Sequence, residues 1–380
     1  MAESSSESAL FVDTARAFLD KHAALSRQRE LHARGVSFDP GWWRRAAELG
    51  WAGLLVSEEL GGGSVSASGL HDLAAIAEEI GRTAAPGPLY PVSTVLAALV
   101  DADNADTHAE AIAALVAGEQ VAGWAADEPG RAFRPQRPET TATRTATGYR
   151  LNGVKDRVEA GPQADLFLVG ARTDDGALRQ FLVRADTPGV AVHPQPCLDL
   201  VKQYARIELV DVEIDATAVV GTVEQTPALI DRQTQVAIVL ACAEMVGILD
   251  TVLTMTLDWC RDRYSFGRPL ASYQALKHRL ADMTMWLHAG RAITAGAVDK
   301  VAARDPDAAM WVGAAKSYLG EHAGLLIQEC VQLHGGIGVT WEHDLHVYLR
   351  RITLYSNLFG TPAEHHQAIF ATASRTEPAA

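Results

Sequence analysis

The stretch Arg263-Tyr264-Ser265-Phe266-Gly267-Arg268-Pro269-Leu270-Ala271-Ser272-Tyr273-Gln274 separates two long segments with helical hydrophobic spacing, near 228–263 and 272–302. A second stretch, Gln332-Leu333-His334-Gly335-Gly336-Ile337-Gly338, follows a third such segment near 306–334. A fourth covers about 362–374, and a shorter helix is expected around 343–355. Segments of this length with short connections predict a four-helix bundle over 226–380.

Toward the N-terminus the period shortens to two. Between about 120 and 220, β-rich runs such as Tyr149–Leu151, Leu166–Gly170, Phe181–Val183, Val190–Val192 and Ala205–Leu209 alternate with turn residues. They predict an antiparallel barrel or sandwich over 119–225. Residues 1–118 return to helical spacing. Leu10, Phe11, Ala15, Phe18 and Leu19 mark one buried face. Trp43 to Trp51 marks a second helix that stops at Gly50, and His71–Gly81 a third that stops at Gly81. Gly61-Gly62-Gly63 is expected to be a flexible loop. The fold expected is therefore α+β and multidomain: helical, then β, then a helical bundle.

Composition excludes some functions. With 380 residues and 48% hydrophobic content, the chain can bury a large core. A net charge of −14 argues against nucleic acid or an anionic membrane as the main partner. Cys197, Cys242, Cys260 and Cys330 have no paired spacing and read as reduced thiols, neither disulfides nor a metal site. The polar, acidic first eight residues do not form a signal peptide, and no apolar run is read as transmembrane. A cytoplasmic protein is expected.

The two quoted stretches resemble the R-x-x-F-G…Q and Q-x-x-G-G-x-G signatures of the acyl-CoA dehydrogenase family. Gly50-Trp51-Ala52-Gly53, Glu58-Glu59, Glu78-Glu79-Ile80-Gly81-Arg82, Asn152-Gly153, Lys155 and Tyr348-Leu349-Arg350-Arg351 match further family positions in order. The resemblance covers nearly the whole chain. It implies flavin adenine dinucleotide (FAD), an acyl-CoA or acyl-carrier substrate, and an electron-transferring flavoprotein as acceptor. By resemblance, Arg263 lies at the pyrophosphate, Ser265 is a further cofactor contact, and Phe266 and Leu270 pack on the adenosine half. Gln274 and Gln332 would hydrogen-bond it, Gly335 and Gly336 would let backbone come close, and Thr361 lies near the ring. In the family these groups reach the flavin of a neighbouring subunit, which implies an oligomer.

Departures are as informative. The family's base, a glutamate before Gly-Thr, is Phe359 here, and phenylalanine accepts no proton. The ring-binding threonine and serine are Asp127 and Phe133, "W-I-T" is Arg157-Val158-Glu159, and the glutamine after Thr361 is Ala363. Glu244, Asp231, His334 and His278 are titratable alternatives, each better explained by helix packing, so no catalytic residue is assigned. Three functions follow: one subunit of a heteromeric acyl-CoA dehydrogenase, with Leu333–His343 resembling the actinobacterial steroid-degrading branch; a homo-oligomer with a displaced base; or a non-catalytic binding subunit.

Overall fold

A computed structural model describes residues 2–376. Residue 1 and residues 377–380, the outer ends of the 1–118 and 226–380 segments, lie outside the described residues. Six helices come first: α1 (Ala2–His22), α2 (Leu25–Ala33), α3 (Pro40–Glu48), α4 (Gly69–Thr83), α5 (Leu89–Leu99) and α6 (Ala109–Val116). Asp39 starts α3 by accepting the Gly41 amide at 2.8 Å, with Pro40 in the first turn, where its missing N–H costs nothing. Gly50, at φ +88°, ends the segment as expected.

Two glycines behave differently from their sequence reading. Gly81 lies inside α4, which ends instead at Ala84 in the left-handed region. A Cβ on Gly81 would stand 2.1 Å from the Glu244 carbonyl oxygen, so the glycine marks a close helix crossing. Gly62 is also no loose linker: its Cβ would meet the carbonyl oxygens of Val56 and Gly53 at 2.4 and 2.5 Å.

Eight strands follow: β1 (Ala122–Ala125), β2 (Thr141–Arg144), β3 (Gly148–Glu159), β4 (Leu166–Thr173), β5 (Leu178–Arg184), β6 (Val190–Gln195), β7 (Tyr204–Asp215) and β8 (Val219–Val220). They form one sheet in the order β6-β7-β3-β2-β4-β5-β8, with β1 also on β4. The sheet is open and mixed, which corrects the purely antiparallel barrel. β1 and β2 both run parallel to β4, along Leu166–Val169 and Arg172–Thr173. Each is too short to cover β4 alone. A core of Leu151, Phe167, Val169, Phe181, Val183 and Ile207 fills the sheet's inner side.

The last segment comprises α7 (Thr226–Asp262), a hairpin β9 (Tyr264–Ser265) and β10 (Arg268–Pro269), α8 (Gln274–Ala302), α9 (Ala308–His334), α10 (Leu345–Asn357) and α11 (Pro362–Thr376). At 1.5 Å per residue, α7 is about 55 Å long and serves as the central pillar. It is long and apolar enough to cross a membrane, contrary to the sequence reading, but 89% of its apolar window is buried inside the protein. All four cysteines are free thiols, Cys197 half-buried and the others buried.

The α4–α7 crossing is the tightest helix contact. A Cβ on Gly247 would stand 1.9 Å from the Glu78 carbonyl, whereas one on Gly324 of α9 would meet nothing. Gly247→Ala is expected to cost about 1–3 kcal/mol through overpacking. Gly324→Ala is expected to stabilise by about 0.5–1 kcal/mol through helix propensity. Denaturant midpoints of both variants check the contrast; equal shifts would refute it.

Candidate functional site

Two regions carry the residues singled out in the sequence: an inner cavity beside Phe359 and an outer cradle at the end of α7 and α9.

The inner cavity lies between the sheet and the helices and is lined by Tyr90, Trp124, Glu159, Tyr204, Tyr355 and Phe359, among others. It is small, about 40 Å³. The Phe359 ring stands 5.5 Å from Phe133 in a T-shaped contact and 6.5 Å from Trp124, nearly parallel. Outward, past Asp127, Phe133 and Arg157, the cavity opens into a cleft of about 480 Å³ that reaches Thr361.

The loop carrying Asp127 is fixed by Glu128, whose carboxylate accepts the amides of Glu139 and Thr140 and an N–H of the buried Lys155 at 2.8 Å. Burial alone would raise the Glu128 pKa, but Lys155 and these amides bring it to about 2. Asp127 faces a different balance. Burial raises its pKa against the opposing Arg157 guanidinium, and its Oδ1 is buried with no partner among the described residues. Arg157 follows an irregular register between Lys155 and Val158, where the β3–β7 ladder shifts.

Charges lie behind the cavity lining. Arg351 is fully buried and pairs with both Asp199 and Glu244, and Tyr355 Oη donates to Glu244 at 2.5 Å. Burial would lower the Arg351 pKa, yet the two carboxylates hold it well above its ordinary value. Lys202 pairs with Glu159 and stands 4.5 Å above the Tyr90 ring. Glu244 is thus an ion-pair and hydrogen-bond partner within the core. Asp231 bonds to Gln136, and His278 to Gln274 at 2.9 Å.

Phe359 has φ +58°, followed by Gly360 at +97°. This left-handed turn is held from both sides. Lys316 of α9 donates to the Tyr355 and Ser356 carbonyls at 2.8 and 3.1 Å, and His365 bonds the Phe359 carbonyl at 2.9 Å. Thr361 and Glu364 form a capping box at the start of α11: the Thr361 amide donates to Glu364 at 2.8 Å, and the Glu364 amide to Thr361 Oγ1 at 3.3 Å. The Thr361 hydroxyl is therefore already engaged.

The outer cradle faces solvent. Phe266 and Gly267 form the two-residue tip of the β9–β10 hairpin, both with positive φ. Phe266 is 97% exposed. A bulky residue in the left-handed region costs about 1–2 kcal/mol, a conformation imposed here by the two-residue hairpin tip. The Ser265 carbonyl accepts the Tyr273 hydroxyl at 2.7 Å, Leu270 is half-buried against the main core, and Gln274 opens α8. Gln332 lies in the last turn of α9. Exposed Gly335 and Gly336 follow, with open space where either Cβ would be.

Arg263 and the Gly335 turn meet around one residue the sequence reading missed, Trp259. The Arg263 guanidinium carbon is 5.7 Å from the indole centroid, the His334 ring is stacked at 5.2 Å, and Trp259 Nε1 donates to the Leu333 carbonyl at 3.2 Å. The available signal was Trp259's i, i+4 spacing to Arg263. Thr361 does not join this group. Its neighbour Pro362 packs on Gly320, and Gln332 lies about 18 Å further along α9 at 1.5 Å per residue.

Burial brings the Lys316 pKa down to about 8, against an ordinary value of 10.5. Between those values the unfolded chain binds more protons, so this group makes stability rise with pH through that window. Lys316→Met is expected to remove that rise, seen by comparing denaturant midpoints of both proteins at pH 7.5 and 10. A rise of the same size in the variant would refute the assignment.

Family models for the N-terminal, middle and C-terminal domains of acyl-CoA dehydrogenases match residues 5–119, 123–199 and 230–373. The chain is 28% identical over 361 residues to acyl-CoA dehydrogenase IpdE2 of Mycolicibacterium smegmatis, covering 95% of this chain and 96% of that one. It is 32% identical over 347 residues to acyl-CoA dehydrogenase FadE27 of Mycobacterium tuberculosis, covering 89% and 88%. A chain in the ChsE4–ChsE5 complex of Mycobacterium tuberculosis superposes with a TM-score of 0.87 at 27% identity, covering 98% of each.

Proposed function

The chain belongs to the acyl-CoA dehydrogenase family, and from that premise we propose that it is one subunit of a heteromeric enzyme. That enzyme removes hydrogen from the α- and β-carbons of an acyl-CoA thioester, and a paralogous chain supplies the base. One observation supports this reading: Phe359, which by resemblance stands where the family carries its base, packs against Phe133 and Trp124 on the wall of the inner cavity.

FAD is the cofactor, and its dinucleotide end suits the outer cradle. Arg263 has no ion-pair partner among the described residues, and open space lies over Gly335 and Gly336. Arg263 would hold the pyrophosphate by charge-assisted hydrogen bonds, Ser265 beside it. Phe266 and Leu270 would pack on the adenosine, with Gln274 and Gln332 as donors. Toward the ring, the unpartnered Asp127 Oδ1 is a free acceptor, and Thr361 stands at the cleft mouth. Bound FAD supplies the hydride acceptor. Phe266 and the exposed Ile337, Val339 and Trp341 support a second chain covering this region. The ChsE4–ChsE5 complex, by its name an assembly of two different chains, supports that arrangement here. An electron-transferring flavoprotein would reoxidise the flavin.

A second reading, a self-sufficient homo-oligomer with a displaced base, has Asp127 as its candidate, since burial raises its pKa beside the cavity. The Arg157 ion pair opposes proton uptake there. Visible spectra of the chain alone and co-expressed with a paralogue carrying the family glutamate separate the two. Flavin acquired only with the partner is expected. One flavin per chain in the protein alone, with acyl-CoA turnover lost in Asp127→Asn, would establish the second reading instead.

Phe359→Glu would bury a carboxylate among Phe133 and Trp124. It is expected to destabilise the protein by about 1–3 kcal/mol and to give no turnover without the partner. Turnover by the lone variant would show that the cavity still accepts substrate.

A further inference from the structure

Trp259 touches both halves of the outer cradle. Its backbone carbonyl accepts the Arg263 amide at 2.8 Å, which makes it the last hydrogen-bonded turn of α7. Its indole N–H donates to Leu333 O, one of the carbonyls that the end of α9 leaves without a helical partner. The Arg263 guanidinium lies against the same ring, and His334, the residue before Gly335, is stacked on it with the planes 19° apart. His334 is itself fixed, through Nδ1 to the Cys330 carbonyl at 2.8 Å and by a T-shaped contact with His343 at 4.7 Å.

An arginine on a helix end has many rotamers, and a glycine turn has many backbone states. Two such groups act on one anion only if something fixes their separation. Among the described residues, no carboxylate pairs with Arg263 and orients it. The indole does so by cation–π attraction on its ring while its N–H ties the far side of the cradle in place.

We propose that Trp259 is a positioning residue of the dinucleotide site, setting the Arg263 guanidinium against the Gly335–Gly336 backbone so that both engage one pyrophosphate. This rests on the reading of the cradle as an FAD site. Trp259 touches no cofactor itself; it acts through Arg263 and through the turn. Phenylalanine at 259 would keep the ring but lose the bond to Leu333 O, and leucine would lose both.

The test is a double-mutant cycle on FAD affinity, read by flavin fluorescence in the flavin-binding assembly, with the partner chain present where loading needs it. Arg263→Ala and Trp259→Leu are each expected to weaken FAD about tenfold or more. The combined variant should be weaker than the worse single variant by less than the full Trp259→Leu loss, because part of what Trp259 does works through Arg263. Trp259→Phe should fall between Trp259→Leu and the wild type. A merely structural tryptophan would give losses that multiply in the combined variant, and that result overturns the proposal, as does unchanged affinity in Trp259→Leu. If Trp259→Leu does not fold, Trp259→Phe takes its place: it removes only the Leu333 bond, so its FAD loss should persist unchanged in the Arg263→Ala background, and unchanged affinity in Trp259→Phe overturns the proposal. Unchanged affinity in Arg263→Ala would instead overturn the FAD reading of the cradle, and the proposal with it.

Discussion

The buried Arg351 guanidinium is the constraint on which the three segments depend. It belongs to α10, yet its partners are Asp199 from the β6–β7 connection, Glu244 from the middle of α7, and the carbonyls of Ala84 and Ala85 after α4. A single side chain thus satisfies acceptors from the N-terminal helices, the sheet and the bundle. Replacing such a cluster by apolar residues can be neutral, but removing one member leaves a buried charge unpaired, which typically costs about 3–5 kcal/mol. Its contribution is therefore to specificity: the segments fit together in the one arrangement in which every charge finds its partner.

That arrangement determines what the inner cavity can do. Tyr355, bonded to Glu244, and Glu159, paired with Lys202, form its floor. Every carboxylate within reach is already committed to a cation or a hydroxyl, apart from the single unpartnered oxygen of Asp127. A general base needs a carboxylate free to take a proton beside an open space for the substrate carbon. Here the committed carboxylates supply stability, and the aromatic rings of Trp124, Phe133 and Phe359 occupy the space. The turn that presents residue 359 is nevertheless still built, with Lys316 and His365 holding its two ends.

Much of the architecture was legible because it is periodic. The helices at Thr226–Asp262, Gln274–Ala302, Ala308–His334 and Leu345–Asn357 lie where apolar spacing put them, and each β-rich run falls in a strand. What periodicity does not encode is pairing between distant segments. Nothing local to Leu166–Thr173 says that β1 and β2 would share one edge parallel to it, so the expected antiparallel closure failed. Gly81 looked like a helix stop because a lone glycine does not announce that another helix's carbonyl passes 2.1 Å from its missing Cβ. The candidate site divides in the same way. Phe359 could be read as a lost base from its neighbours in sequence, whereas the roles of Arg351, Lys202 and Trp259 come from partners up to 267 residues away.

The two halves of the flavin signature also lie apart. Thr361 and Asp127 border the inner cleft, while Arg263, Phe266 and Gly335 line a surface beyond the end of α9. One dinucleotide bound to one copy of this chain would have to span that distance across an exposed surface. On the heteromeric reading proposed above, two chains placed against each other would close that gap. The strain at Phe266 is understandable on that basis: a phenylalanine held in the left-handed region and left in water lowers no energy within its own chain. In this chain the residues at Arg263, Phe266 and Gly335 face outward while Phe359 stands on the wall of the inner cavity, the asymmetry that the heteromeric reading proposed above would call for.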